Sequence, residues 1–249
     1  GANLADLHAA RADLTEADLS GAHLERARLS RAVLCRARLS QAALICTDLS
    51  ATDLTGASLV QANLSGASLR AATLVEADLT QAELKIYKPH QYSSSHTRTN
   101  LLGADLTGAK LTGLTLEGVL CDAAVPWPGG ERPDGIVVIE PQATLKGLDL
   151  SRQDLHEVEL SGADLSGADL TGADLERADL SGANLTGATL QGTDFFNAKL
   201  AGATLSGADL SLLSTANIAW GTRLSGADLT GADLTGATLK GTSLQGTDL

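Results

Sequence analysis

Residues 161–190 read SGADL SGADL TGADL ERADL SGANL TGATL. Each block of five ends on leucine, carries alanine two places earlier and usually opens with a small polar residue and glycine. A period of five matches neither the 3.6 of a helix nor the 2 of a strand. A short fixed period held over many copies signals a repeat architecture. Leu165, Leu170, Leu175 and Leu180 are the only large apolar residues of their blocks, so they must share one interior. In an extended segment residues i and i−2 point the same way, so alanine and leucine face inward and the aspartate between them faces out. The Ser/Thr and Gly that follow are turn formers. One repeat is therefore a short extended piece plus a corner. The chain reads as a closed, multi-sided solenoid with coils about 4.8 Å apart. Each buried leucine contributes about 1.5–3 kcal/mol to it.

Outward from this stretch the register persists. Leucine recurs at every fifth position from Leu14 to Leu84, with alanine two places earlier except at Thr47 and Thr52. It recurs again at Leu101, Leu106, Leu111 and Leu116, then decays through Val119 and Cys121. It holds from Leu145 to Leu210, where Phe195 takes one central slot, and from Leu224 to the end. Two stretches break it. Residues 85–100, KIYKPHQYSSSHTRTN, add two tyrosines and two histidines, and residues 122–142, DAAVPWPGGERPDGIVVIEPQ, hold four of the five prolines. The organisation expected is one continuous solenoid: coils over 1–84, an inserted loop over 85–100, a coil over 101–121, a Pro/Gly-rich loop over 122–142, and coils over 143–249. Residues 136–139 suit a short strand that packs on a coil wall or covers an edge. Between Leu210 and Leu224, fourteen residues apart, Ile218 and Trp220 are expected to plug an irregular coil.

Composition narrows the function. Aromatic residues are 2% of 249, too few for an ordinary globular core, so stability must come from near-neighbour stacking of coils. A net charge of −12 argues against affinity built on phosphate neutralisation. The three cysteines, Cys35, Cys46 and Cys121, have no metal spacing and suggest a reducing, cytoplasmic compartment. There is no apolar leader and no run of 18 apolar residues, so neither a signal peptide nor a membrane span is expected. The chain begins and ends inside repeats, at Gly1-Ala2-Asn3-Leu4 and Leu249, which points to a segment of a larger protein. No nucleophile elbow, phosphate-binding loop or zinc spacing occurs, so neither an enzyme nor a cofactor or metal site is expected.

The tandem Ala-Asp/Asn-Leu-Ser/Thr-Gly blocks, in register over most of the chain, resemble the pentapeptide-repeat proteins. The resemblance implies an all-β fold, a right-handed quadrilateral parallel β-helix with four repeats to a coil, here carrying two inserted loops. It implies a non-enzymatic scaffold for protein–protein interaction. The alternative it raises is a DNA mimic of the quinolone-resistance branch, which binds DNA gyrase and other type II topoisomerases and confers antibiotic resistance. An acidic rod and two loops favour that alternative; a lone Phe195 among the central leucines and the lack of a C-terminal dimerisation helix count against it. Residues 143–249 carry six basic and fourteen acidic residues, net −8. That is one charge per roughly 3 Å of column, against one per about 1.7 Å for duplex DNA.

Candidate partner contacts follow. In the first loop they are Tyr87, His90, Tyr92, His96 and Arg98, on a stretch that reads equally as a contact or as a plain bulge. In the second loop Trp127 is a candidate, although a local anchor suits it better. On the wall they are Asp154, Asp174 and Asp194, which stack if a coil is twenty residues. Arg26, Arg28, Arg31, Arg36 and Arg38 form either a docking patch or a solvated face balanced by Asp48, Asp53 and Asp78. Exposed coil ends would allow a homodimer.

Overall fold

The computed structural model describes residues 1–87, 98–116, 118–130, 132–211, 213–214 and 219–248. The chain forms two compact units, Gly1–Val138 and Ile139–Leu249. Each unit is a quadrilateral β-helix. In the second, Thr144 bridges Asp164, Asp149 bridges Asp169, Asp154 bridges Asp174 and Glu159 bridges Asp179, all in parallel. A residue therefore stacks on the one twenty further on, and one coil takes four repeats.

The repeat satisfies its own backbone. In the block around Leu165, the N–H of Leu165 donates to the carbonyl of Asn184 (2.8 Å), Gly167 to Thr186 (2.9 Å), Ala168 to Leu165 (3.0 Å) and Asp169 to Leu148 (2.9 Å). The fifth N–H, of Ser166, donates to Oδ1 of Asp164 (3.0 Å). The outward aspartate thus caps the corner, and since a buried backbone N–H left unpaired is costly, the slot selects a side chain with a short carbonyl-type acceptor. Asn63 and Asn184 do the same for Ser65 and Thr186. The corner residue before the inner alanine lies at positive φ, 67° at Gly182 and 56° at Arg177. Among the described residues eighteen non-glycine residues share that conformation and none is β-branched, as the left-handed region favours.

The interior is the expected Leu/Ala column. Leu165, Leu170, Leu175 and Leu180 are fully buried, as are their alanines and Phe195. Where threonine replaces the inner alanine, its hydroxyl has a fixed use. Thr47 donates to the carbonyl of Leu24 (2.7 Å), and Thr193 to that of Leu170 (2.8 Å), so no polar atom is stranded.

The interruptions differ from the sequence reading in one respect. Leu84 to Leu101 spans three repeats and two residues, yet Leu101 does not sit three sides on. Ser68 bridges Asn100, and β1 (Glu83–Leu84) pairs in parallel with β2 (Thr115–Leu116). Stacked partners are 32 residues apart here, twelve more than in a regular coil. In the second unit Asp194 bridges Arg223, 29 residues on, nine more than in a regular coil. The next vacant edge is the adjacent side, and only there does the returning segment pair with an exposed ladder.

Two strands end the first unit. β3 (Val119–Cys121) pairs in parallel with β4 (Ile136–Val138), so the strand expected near residues 136–139 covers the edge of the last coil. In the second unit β5 (Leu213–Ser214) and β6 (Ala219–Trp220) form an antiparallel pair within the nine-residue insertion. Ile218 and the side chain of Trp220, expected as plugs, lie outside the described residues. At the C-terminal coil Leu239 and Leu244 are 36% and 40% exposed.

Corner capping has a pH signature. The Thr55 hydroxyl (2.6 Å) and then the Thr55 N–H (3.0 Å) hold Asp53 below the usual carboxylate range. Asp78, Asp105 and Asp233 are lowered by the same pair of donors. A lowered folded pKa means stability that is complete above the unfolded value of about 3.9 and is lost as pH falls through the folded value. Asp53→Asn keeps the acceptor without the proton. It lacks the carboxylate's extra stability, so it is expected to start from a slightly lower urea midpoint at neutral pH and to lose less stability than the parent between about pH 4 and 2. Asp53→Ala should cost about 0.5–1.5 kcal/mol at neutral pH.

Candidate functional site

The acidic wall of the second unit is set by register. Asp154, Asp174 and Asp194 follow one another in a bridge column that continues to Arg223 and Ser243. Each aspartate is oriented by its own corner: Oδ1 of Asp154 accepts from the N–H of His156 (3.2 Å), that of Asp174 from Glu176 (3.0 Å) and that of Asp194 from Phe196 (3.0 Å). Corner capping therefore places like charges on successive coils despite their repulsion. Beside the column runs a groove of about 590 Å³, lined by Gly172, Asp174, Gly192, Asp194, Arg223 and Ser243. Glycines at stacked corners leave its floor without side chains, so the carboxylates stand along its edge.

Arg223 lies at the upper part of this wall. Its guanidinium pairs with Oδ2 of Asp194 and sits 5.0 Å from the centroid of the Phe196 ring, within cation–π range. Phe196 is half-buried and supports this cation.

The lower part holds a mixed cluster. Ligand atoms of His156, Asp174 and Glu176 all lie within 4.8 Å of one another. His156 and Glu176 occupy the same corner slot on successive coils, and Asp174 precedes Glu176 by two residues. Nε2 of His156 is 3.3 Å from Glu157, and Arg177 reaches Glu157 (3.4 Å) and Glu176 (3.7 Å). The spacing of eighteen and twenty residues belongs to no motif read along a chain, so the cluster is invisible until the coil length is known.

The loop candidates fare differently. Tyr87 is half-buried at the start of the first interruption. Arg98 is buried, 8% exposed, and donates to the carbonyl of Gly118 (3.0 Å), which makes it a tie between chain segments and not a free contact. Trp127 is also 8% exposed and belongs to the core of the first unit with Val119, Cys121 and Val125, so the anchoring role holds and an exposed contact does not. His90, Tyr92 and His96 lie outside the described residues. In the first unit Arg26, Arg36 and Arg38 pair with Asp6 (2.8 Å), Glu16 (3.6 Å) and Asp18 (2.9 Å), one coil away. The partners are these residues and not the expected Asp48, Asp53 and Asp78. Arg38 holds Asp18 down to about 2. Such exposed pairs solvate a face and add little stability.

Twenty-residue coils, an inward Leu/Ala column and corner-capping aspartates define a four-sided, right-handed repeat solenoid. The family model for pentapeptide repeats matches eight copies, over residues 12–50, 47–85, 93–120, 142–172, 173–211 and 219–249. The chain belongs to the pentapeptide-repeat family. Among solved structures it is similar to HetL, a pentapeptide-repeat protein involved in heterocyst differentiation regulation from the cyanobacterium Nostoc sp. strain PCC 7120. The identity is 34% over 97% of this chain and 90% of that one, at a TM-score of 0.31. It is also similar to QnrB1, a plasmid-mediated fluoroquinolone resistance protein, at 17% identity over 100% of this chain and 92% of that one, TM-score 0.29. A third similarity is to a pentapeptide-repeat protein of the Arabidopsis thaliana thylakoid lumen, at 23% identity over 68% and 69% of the chains, TM-score 0.21. No curated protein matches the chain. Among the described residues no helix is long and apolar enough to cross a membrane.

Proposed function

We propose that the chain is a non-enzymatic scaffold that docks a protein partner on the acidic wall of the second unit, with the glycine-floored groove receiving a basic segment. The observation that carries this reading is the groove itself. Asp174 and Asp194 stand along it with fixed orientation, while its one cation, Arg223, is committed to Asp194 and Phe196. A lysine- or arginine-rich segment fits such a channel by charge, and its backbone can approach where no Cβ intervenes. The test uses a fluorescent lysine-rich peptide at low salt, with Asp174→Asn/Asp194→Asn against the parent. Asparagine keeps the corner bond and removes both charges, so the expected loss is about tenfold in affinity at unchanged stability. Equal affinity would remove the groove from the reading.

A second reading is a DNA-mimicking role toward a type II topoisomerase, and the column Asp154, Asp174 and Asp194 favours it, because its charges repeat along a β-stack. A gyrase supercoiling assay, with and without a quinolone, decides it. Inhibition or protection that is lost in the double asparagine variant supports mimicry. No effect at micromolar protein rules it out.

A further inference from the structure

We infer that His156, Asp174 and Glu176 form a binding site for a divalent transition-metal ion of the zinc class, one that ties two successive coils of the second unit together. The three ligands come from two coils: His156 from one, and Asp174 and Glu176 from the next. One imidazole nitrogen and two carboxylate oxygens are a donor set that zinc accepts, leaving a fourth position for water or an incoming group. The nitrogen ligand separates this site from the many aspartates of the wall and selects against calcium and magnesium, which take oxygen donors.

Geometry supports the assignment. The ligand atoms lie within 4.8 Å of one another, whereas those around a tetrahedral zinc with bonds of about 2.0–2.1 Å are roughly 3.3 Å apart. The difference is small enough for side-chain rotation to close, because His156 and Glu176 are 29% and 28% exposed at the surface. The backbone beneath them does not need to move, since the coil ladder fixes it, and the bond from the Glu176 N–H to Oδ1 of Asp174 orients the Asp174 carboxylate. That bond occupies Oδ1 and leaves Oδ2 for the metal. Arg177, against Glu176 and Glu157, supplies the positive charge that an ion would replace. Asp174 also lines the groove, so the fourth position lies beside open space.

The proposal does not rest on the partner reading, and its test uses no partner. Cobalt(II) and zinc are titrated into the full chain, with stoichiometry from calorimetry and geometry from the visible d–d bands of bound cobalt. The expected result is one strong site per chain, with cobalt bands of four-coordinate intensity and a zinc-dependent rise in melting temperature. His156→Ala should abolish the bands and weaken zinc by more than the 10–100-fold that outer-shell changes cost. Asp174→Asn, which keeps the corner bond, should weaken it as well. Glu16→Gln, on the first unit, should change nothing. Circular dichroism confirms that each variant is folded. Equal zinc affinity in the parent and His156→Ala, or several weak sites per chain with no cobalt bands, would overturn the assignment and leave only diffuse carboxylate binding.

Discussion

Leu175→Asp is expected to abolish cooperative unfolding of the second unit: its β signal should be lost at temperatures where the parent is folded. Leu175 is fully buried; its N–H bonds the next coil at the carbonyl of Asp194, and its carbonyl accepts from the N–H of Ala178 across its own corner. Truncation to alanine alone removes about 2–5 kcal/mol. Aspartate adds an unpaired charge to a column of leucine and alanine with no counter-ion within it, a cost that a net stability of about 5–15 kcal/mol does not absorb. Solenoid energetics make the damage spread, because each coil is stabilised only by its neighbours. Thermal unfolding of Leu175→Asp, Leu175→Ala and Thr171→Asp measures this directly. The aspartate at the corner should melt within a few degrees of the parent, the alanine well below it, and the buried aspartate should show no transition. A normal melt for Leu175→Asp would mean that the central slots do not face inward.

Why so much of this fold is legible without coordinates is a matter of which contacts are local. The period of five assigns inward and outward slots, because a residue and the one two before it share a side of an extended segment. Leu165, Ala163 and Asp164 fall where that argument puts them. The corner role of the aspartates was not legible as a hydrogen bond, although it explains why asparagine alternates with aspartate at that slot. Two things lay beyond reach. One was the route of the insertions: Leu84 to Leu101 counts as three repeats and two residues, but ladder pairing returns the chain to the adjacent side. The other was the His156 cluster, which exists only because residues twenty apart become neighbours. The aspartate column is expected from the same twenty-residue repeat; His156 carries no signal within its own repeat, and its neighbours appear only down the stack. Arg98 marks the opposite case, since charge in a non-repetitive stretch suggests contact, yet its side chain is buried; Trp127, which suited a local anchor better, is buried as well.

Trp127→Ala should open the end of the first unit while leaving its other coils intact. The indole packs with Val119, Cys121 and Val125 at the end of the column, where β4 already pairs with the last coil. Without such a cover the terminal leucines of a solenoid meet water, which is why end coils need caps. Phe/Trp→Ala changes in cores cost about 3–5 kcal/mol. Here the loss should be sub-global: amide exchange over residues 101–121 rises to the rate of a locally opened segment, while residues 22–84 keep their protection. The indole N–H gives a control. It is buried with no hydrogen-bond partner in the protein, a state that itself costs about 1–3 kcal/mol. Trp127→Phe discards that donor while keeping most of the ring, so it should be far milder than alanine. If phenylalanine proves as damaging as alanine, the N–H has a function that packing does not explain. If alanine leaves exchange over residues 101–121 unchanged, β4 alone seals the coil, and the tryptophan is free to be read as a contact after all.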